Sequence, residues 1–125
     1  MIQENIRTDR RKWPRESVRV PARYFLKDRS NKFQDCTITS ISRCGAALAL
    51  PGYEFVREKA PVYLDFIVPQ TVQQLSLRGQ IRMKQSRRGA LVVGIQFDKL
   101  LPELTFHQMI GAHERYGHIA VGNFG

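Results

Sequence analysis

The chain is short of several things, and each shortage excludes a class. It has two cysteines and one tryptophan among 125 residues. Two cysteines, Cys36 and Cys44, cannot build a disulfide scaffold, and no paired-cysteine box exists to hold zinc. Both thiols are expected to be reduced and structural. No apolar run approaches the roughly 20 residues that a membrane helix needs. The opening MIQENIRTDRRKW carries no apolar stretch of the kind that drives export, so the expected compartment is the cytoplasm. There is no GxxxxGK[ST] phosphate loop and no nucleophile elbow. Asp65 and Glu54 are carboxylates without a nameable partner. His113 and His118 stand in an HExxxH run, one residue too long for two zinc ligands on one helical face. The expectation is a non-enzyme with no metal and no resident cofactor.

The composition that remains is globular, with 42% hydrophobic and 25% charged residues. The length suits one domain with a modest core. Acidic side chains are the scarce charge: 11 Asp and Glu face 20 Lys and Arg, a formal net charge of +9. Such a surface attracts phosphates and polyanions. Arg7, Arg10, Arg11, Lys12, Arg15, Arg19 and Arg23 crowd the first two dozen residues, and Arg82, Lys84, Arg87 and Arg88 form a second group. A solvated basic face is the plainest reading of such runs. A nucleic-acid polymer is not the expected partner, because no recognised binding module or interleaved aromatics accompany the charge.

Period-two alternation dominates. Val18, Val20, Ala22 and Tyr24 share one face of a first strand, with Arg19 and Arg23 on the other. A second strand runs over about 33–40, and Gly45 opens a third that Pro51-Gly52 stops. Val62, Leu64, Phe66 and Val68 mark a fourth. Leu75, Leu77, Ile81 and Met83 mark the inner face of a fifth, and Leu91, Val93, Ile95 and Phe97 a sixth. Ser86-Arg87-Arg88-Gly89 is a hairpin turn between the last two. After Asp98 the period changes. Pro102 and Glu103 suit a helix start, Phe106, Met109, Ile110 and His113 form one stripe, and Gly117 suits its end. The fold class is therefore all-β with a C-terminal helix. Six short antiparallel strands hide their edges best by closing into a barrel. Residues 1–12 read as a mobile basic arm, 13–116 as the barrel and its helix, and 117–125 as a tail.

Two stretches carry a resemblance. Asp9-Arg10-Arg11-Lys12-Trp13-Pro14-Arg15 looks like an RxxxR motif, with Arg11 and Arg15 as its arginines and Arg10 before them. Ser40-Ile41-Ser42-Arg43-Cys44-Gly45 is similar to [D/N]xSxxG, with Ser42 and Gly45 matching and Ser40 in place of Asp or Asn. Val93-Gly94-Ile95-Gln96-Phe97 resembles a last barrel strand. Together, over about residues 9–116, these resemble the PilZ family of bacterial receptor domains for the second messenger cyclic di-GMP.

The resemblance implies a six-stranded antiparallel PilZ-like β-barrel. It also implies a site of Arg10, Arg11, Arg15, Ser40, Ser42, Arg43 and Gly45. Arg11 and Arg15 would be the clamp, Ser42 and Gly45 the opposite wall, and Ser40 and Arg43 lesser contributors. Arginine suits this ligand, since its planar fork pairs with phosphate oxygens and with guanine O6 and N7. Trp13 suits either a guanine stack or a hydrophobic lid. A serine at position 40 is shorter than Asp or Asn, and one lost hydrogen bond is worth about 0.5–3 kcal/mol. The implied function is a non-enzymatic receptor that orders its arm and alters a surface read by a protein partner in motility, pilus or exopolysaccharide systems. The alternative is a PilZ-like barrel without nucleotide, acting as a protein-interaction module.

Overall fold

The computed structural model describes residues 13–27, 32–51 and 56–111. Six strands follow in order: β1 (Glu16–Leu26), β2 (Gln34–Ile41), β3 (Gly45–Leu50), β4 (Pro61–Ile67), β5 (Gln74–Arg87) and β6 (Ala90–Phe97). A helix, α1, covers 103–111. Every neighbouring pair is antiparallel, and the order β1-β2-β3-β6-β5-β4 closes through β1 and β4 into a barrel. No strand is left with an open edge, which is how so short an all-β chain avoids edge-to-edge association. The expectations for residues 1–12, for His113 and Gly117, for Glu54 and for 117–125 lie outside the described residues.

The alternation becomes burial. Val18, Val20, Ala22 and Tyr24 of β1 and Val62, Leu64 and Phe66 of β4 all enter one core. Val93, Ile95 and Phe97 do the same from β6, and Phe106 and Met109 add the apolar stripe of α1. The β5–β6 hairpin turns on Arg88 and Gly89, with φ of 49° and 79°. Two central residues with positive φ are what a tight turn needs to match strand twist.

Two departures from strict alternation matter. Between Ile38 and Ser40 β2 advances two residues while β3 advances one, from Leu48 to Ala47, so Thr39 is an extra residue. Inward positions Ile38 and Ile41 are then three apart, and Thr39 and Ser40 both stay out of the core. On β5, Ile81 pairs with Ile95 but Met83 pairs with the adjacent Gly94, so Arg82 is the extra residue. Met83 is 45% exposed, not inward as its spacing predicts. The bulge has shifted its phase by one residue. Leu75 and Leu77 pack only partly buried against the core.

The outer face of β1, β4 and β5 holds a carboxylate that period two alone would expose. Asp65 is 5% exposed. It accepts from Gln74 Nε2 at 2.8 Å, Arg23 Nη2 at 2.7 Å and Ser76 Oγ at 2.8 Å. These bonds, Gln74 first, outweigh burial and hold its carboxyl below the usual carboxylate range. Beside it Phe25 stacks on Tyr63 and meets Phe33 edge-on, both at 4.7 Å. On the opposite side of the charge balance, burial and the neighbouring Asp35 push the Cys36 thiol up to about 12, so it stays protonated.

A lowered folded pKa stabilises the fold above the unfolded value, and that stability is lost as pH falls through the folded value. Asp65→Ala is expected to cost about 2 kcal/mol at neutral pH, since Arg23, Gln74 and Ser76 lose their shared acceptor. The gap between wild type and variant should close from about pH 4 downward. Urea titrations at pH 7, 4 and 2.5 test this, and a gap independent of pH overturns it.

Candidate functional site

The turn between β2 and β3 is built by Ser42. Its side chain is buried, at 1% exposure. Its Oγ accepts from the amides of Cys44 at 3.2 Å and Gly45 at 3.1 Å, and lies 3.3 Å from the Gly45 carbonyl oxygen, to which it donates. The Ser42 amide donates to the same carbonyl at 2.9 Å. The hydroxyl is thus used within the turn. The turn is fastened to β6 through Phe97 N to Cys44 O at 2.9 Å. Gly45 is where β3 presses on β6: a Cβ there would stand 2.3 Å from the Ile95 carbonyl oxygen. Its φ is not positive, so close approach explains the glycine.

Arg43 ties the turn to the segment before α1. Its Nε donates to the Leu101 carbonyl at 2.8 Å, and the Leu101 amide donates back to the Arg43 carbonyl at 2.7 Å. Its guanidinium lies 4.5 Å from the centre of the Trp13 ring, a cation–π contact. Trp13 is half-buried there, so in this structure it packs on Arg43 at the groove rim.

Arg15, exposed just before β1, reaches Ser40: Nη1 to Oγ is 3.5 Å. Ser40 pairs with Ser17 of β1 on one side and Ala47 of β3 on the other. The two motifs, 25 residues apart in sequence, therefore meet in space. Arg10 and Arg11 lie outside the described residues.

Beside this junction runs an open groove of about 830 Å³. Trp13, Arg15, Ser42, Cys44 and Gly45 line one side. Lys59, Arg82, Met83 and Leu100 line it too, together with Gln96 and Asp98. Met83 and Leu100 expose apolar surface there, at 45% and 47%. Apolar platforms with a few convergent cations suit a ligand of flat rings and anionic groups. Lys59, Met83 and Leu100 belong to no motif in the sequence, and Arg82 stands there only in a charge run. Among the described residues no group of three or more His, Cys, Asp or Glu could hold a metal, and no helix is long and apolar enough to cross a membrane.

Ser42→Ala is expected to cost about 2 kcal/mol in chemical denaturation, because two backbone amides lose their acceptor. Gly45→Ala should cost about 1–3 kcal/mol through overpacking against backbone. Ser40→Ala should stay within about 0.5 kcal/mol, as surface changes usually do. A wild-type melt for Ser42→Ala would show the hydroxyl to be free for a ligand after all.

Comparison with known proteins bears on the fold and family. Residues 9–112 match the family model of the PilZ domain. No curated protein matches the chain. Among solved structures, the PilZ domain of YcgR from Escherichia coli, determined with c-di-GMP, aligns with a TM-score of 0.70 at 14% identity, covering 90% of this chain and 98% of that one. The Bacillus subtilis inhibitor of motility MotI/DgrA aligns with a TM-score of 0.65 at 11% identity over 87% of this chain. The match takes in 52% of that protein, so the chain spans about half its length. The PilZ domain of CeSA from a cellulose-synthesizing bacterium aligns at 0.56 and 16% identity, covering 78% and 96%. With the closed six-stranded barrel, the terminal helix and a family match over 9–112, the chain belongs to the PilZ domain family.

Proposed function

We propose that this chain is a non-enzymatic receptor for cyclic di-GMP, acting in the cytoplasm on a protein partner. The observation that carries the reading is Arg15, which lines the groove and stands 3.5 Å from Ser40. It joins the two motif stretches beside a volume within the usual range for small-ligand sites, about 300–1,000 Å³. The E. coli relative, solved with c-di-GMP, adds family support.

In this reading Arg11 and Arg15 clamp the ligand, with Arg10 assisting. Their guanidiniums take phosphate oxygens or guanine O6 and N7 bidentately. Ser42 and Gly45 act by shape: they bring the turn close to β6 and keep the wall rigid. Ser40 is the polar contact on that wall, and its bulge is what turns it outward. Trp13 and Arg43 link ligand occupancy to the segment before α1, since Arg43 holds both the Trp13 ring and Leu101. Displacing Trp13 from Arg43 would loosen that segment and alter the surface a partner reads. The partner class is one of motility, pilus or exopolysaccharide control. A barrel without nucleotide is the second reading, favoured by Ser40 in place of Asp or Asn.

Calorimetry with cyclic di-GMP tests the reading. Wild type is expected to bind it in preference to GMP and to random oligonucleotides. Arg11→Ala or Arg15→Ala should each remove most of the affinity while thermal melts stay unchanged. No binding at about 100 μM, equivalent to about −5.5 kcal/mol, favours the interaction module instead. Tighter binding of duplex DNA with a steep salt slope would make the protein a nucleic-acid binder.

Ser40→Asn is expected to tighten cyclic di-GMP binding, because the amide reaches further and adds a donor without adding negative charge near phosphate. Ser40→Asp should help less, since its carboxylate meets phosphate repulsion. A normally folded Ser40→Asn that binds no better than wild type means that Ser40 does not face the ligand.

A further inference from the structure

The groove has a second charged side that neither motif describes. Arg82 is the extra residue of the β5 bulge, lying between Ile81, which pairs with Ile95, and Met83, which pairs with Gly94. The bulge leaves Arg82 and Met83 both exposed on the groove, where strict alternation would send one of them inward. Lys59 sits next to it, because its amide donates to the Ile81 carbonyl at 2.7 Å, and the Ile81 amide donates to the Ala60 carbonyl at 3.0 Å. Lys59 holds φ of 65°, a left-handed conformation that a lysine adopts only when its surroundings impose it.

Two unusual backbone features thus place two cations on one side of the groove. No described residue pairs with the Arg82 or Lys59 side chain. Three other arginines of the barrel are engaged: Arg23 with Asp65, Arg43 with Leu101 and Trp13, and Arg78 with Asp98 at 3.4 Å. Asp98, which also lines the groove, is therefore answered by Arg78. Glu58 is the remaining acid there, against Arg15, Lys59 and Arg82.

Strand order sets how far Arg82 stands from the turn at Gly45. β6 lies between β3, which starts at Gly45, and β5, which carries Arg82. Two strand spacings make about 10 Å. One phosphate cannot bridge that span, whereas a dinucleotide with two phosphodiesters on opposite sides of its ring can. We propose that Arg82 and Lys59 form a second anion-binding wall, which takes the phosphate facing away from Arg15 and the Gly45 turn. This assignment rests on the cyclic di-GMP reading and adds to it the selection of a bis-phosphate ligand over a mononucleotide. Arg82 supplies the bidentate fork and Lys59 the adjacent point charge.

The test is calorimetry on full chains with two probes, cyclic di-GMP and GMP. Arg82→Ala is expected to weaken cyclic di-GMP binding at least tenfold and GMP binding less than threefold. Arg82→Lys should recover part of the loss. Lys59→Gly should weaken cyclic di-GMP binding about threefold or more while melting no lower than wild type, because glycine accepts the positive φ without strain. Arg87→Ala, an equal charge change toward the hairpin tip, should stay within twofold. Wild-type binding that survives Arg82→Ala overturns the second wall and leaves the receptor reading standing. Equal losses from Arg82→Ala and Arg87→Ala overturn it as well, since they mean diffuse attraction. Absence of wild-type binding rejects the receptor reading, and the second wall with it.

Discussion

Closure of the barrel is the constraint on which the rest depends. Each strand must pair on both sides, so register is fixed around the whole ring. A strand with one residue too many for its partner cannot slip, because slipping would turn its core face outward. The surplus residue leaves the ladder instead. β2 does this at Thr39 and β5 at Arg82; the β5 bulge lines the groove, and the β2 bulge sets Ser40 beside Arg15. Ser40 stays out of the core because of the first, and Met83 lies on the groove because of the second. Arg82 and Met83 thus reach the groove as a geometric by-product of closing six unequal strands.

The turn over 42–45 converts that geometry into a rigid wall. A buried hydroxyl satisfies two amides, and a missing Cβ lets the backbones of β3 and β6 approach. Neither residue has to touch a ligand to be required by the site. Arg43 then carries the wall outward in two directions, to Trp13 and to Leu101. Leu101 is wholly buried, and α1 follows it with Phe106 and Met109 in the same core. A change at Trp13 thus meets a short path to the helix, made of one guanidinium and one reciprocal pair of hydrogen bonds. That path runs outside a core that cannot deform much.

Period two makes the strands legible in the sequence. Val18 to Tyr24 and Val62 to Phe66 are buried as their spacing implies, and the switch to helical spacing after Pro102 marks α1. Of the motif residues, Arg15 and Ser40 come together, while Arg10 and Arg11 lie outside the described residues. Bulges were not legible, since Gln80-Ile81-Arg82-Met83-Lys84 alternates perfectly on paper. Only pairing with the shorter run of β6 shows that Arg82 is surplus. The burial of Asp65 was hidden for a related reason: Gln74 and Ser76 reach it only across the β4–β5 ladder, and Arg23 across β1–β4. The role of Ser42 within the turn was equally out of reach, because a motif names a serine without saying where its hydroxyl is spent.

Net charge says less about the site than the distribution of pairing does. Arg23, Arg43 and Arg78 lie deep enough in local networks that the fold uses them. Each has an acceptor or a ring, and its charge is largely spoken for. Among the described residues Arg15 hydrogen-bonds only to a neutral hydroxyl at 3.5 Å, and the Lys59 and Arg82 side chains have no polar partner. These three line one groove. Field strength at a ligand depends on such unspent charge, because a paired cation presents a dipole whose potential falls faster than that of a lone charge. An excess of +9 spread over the surface attracts any polyanion weakly and is screened within about 10 Å by salt. Three uncommitted cations around an apolar platform instead favour a compact ligand with separated negative charges and flat faces.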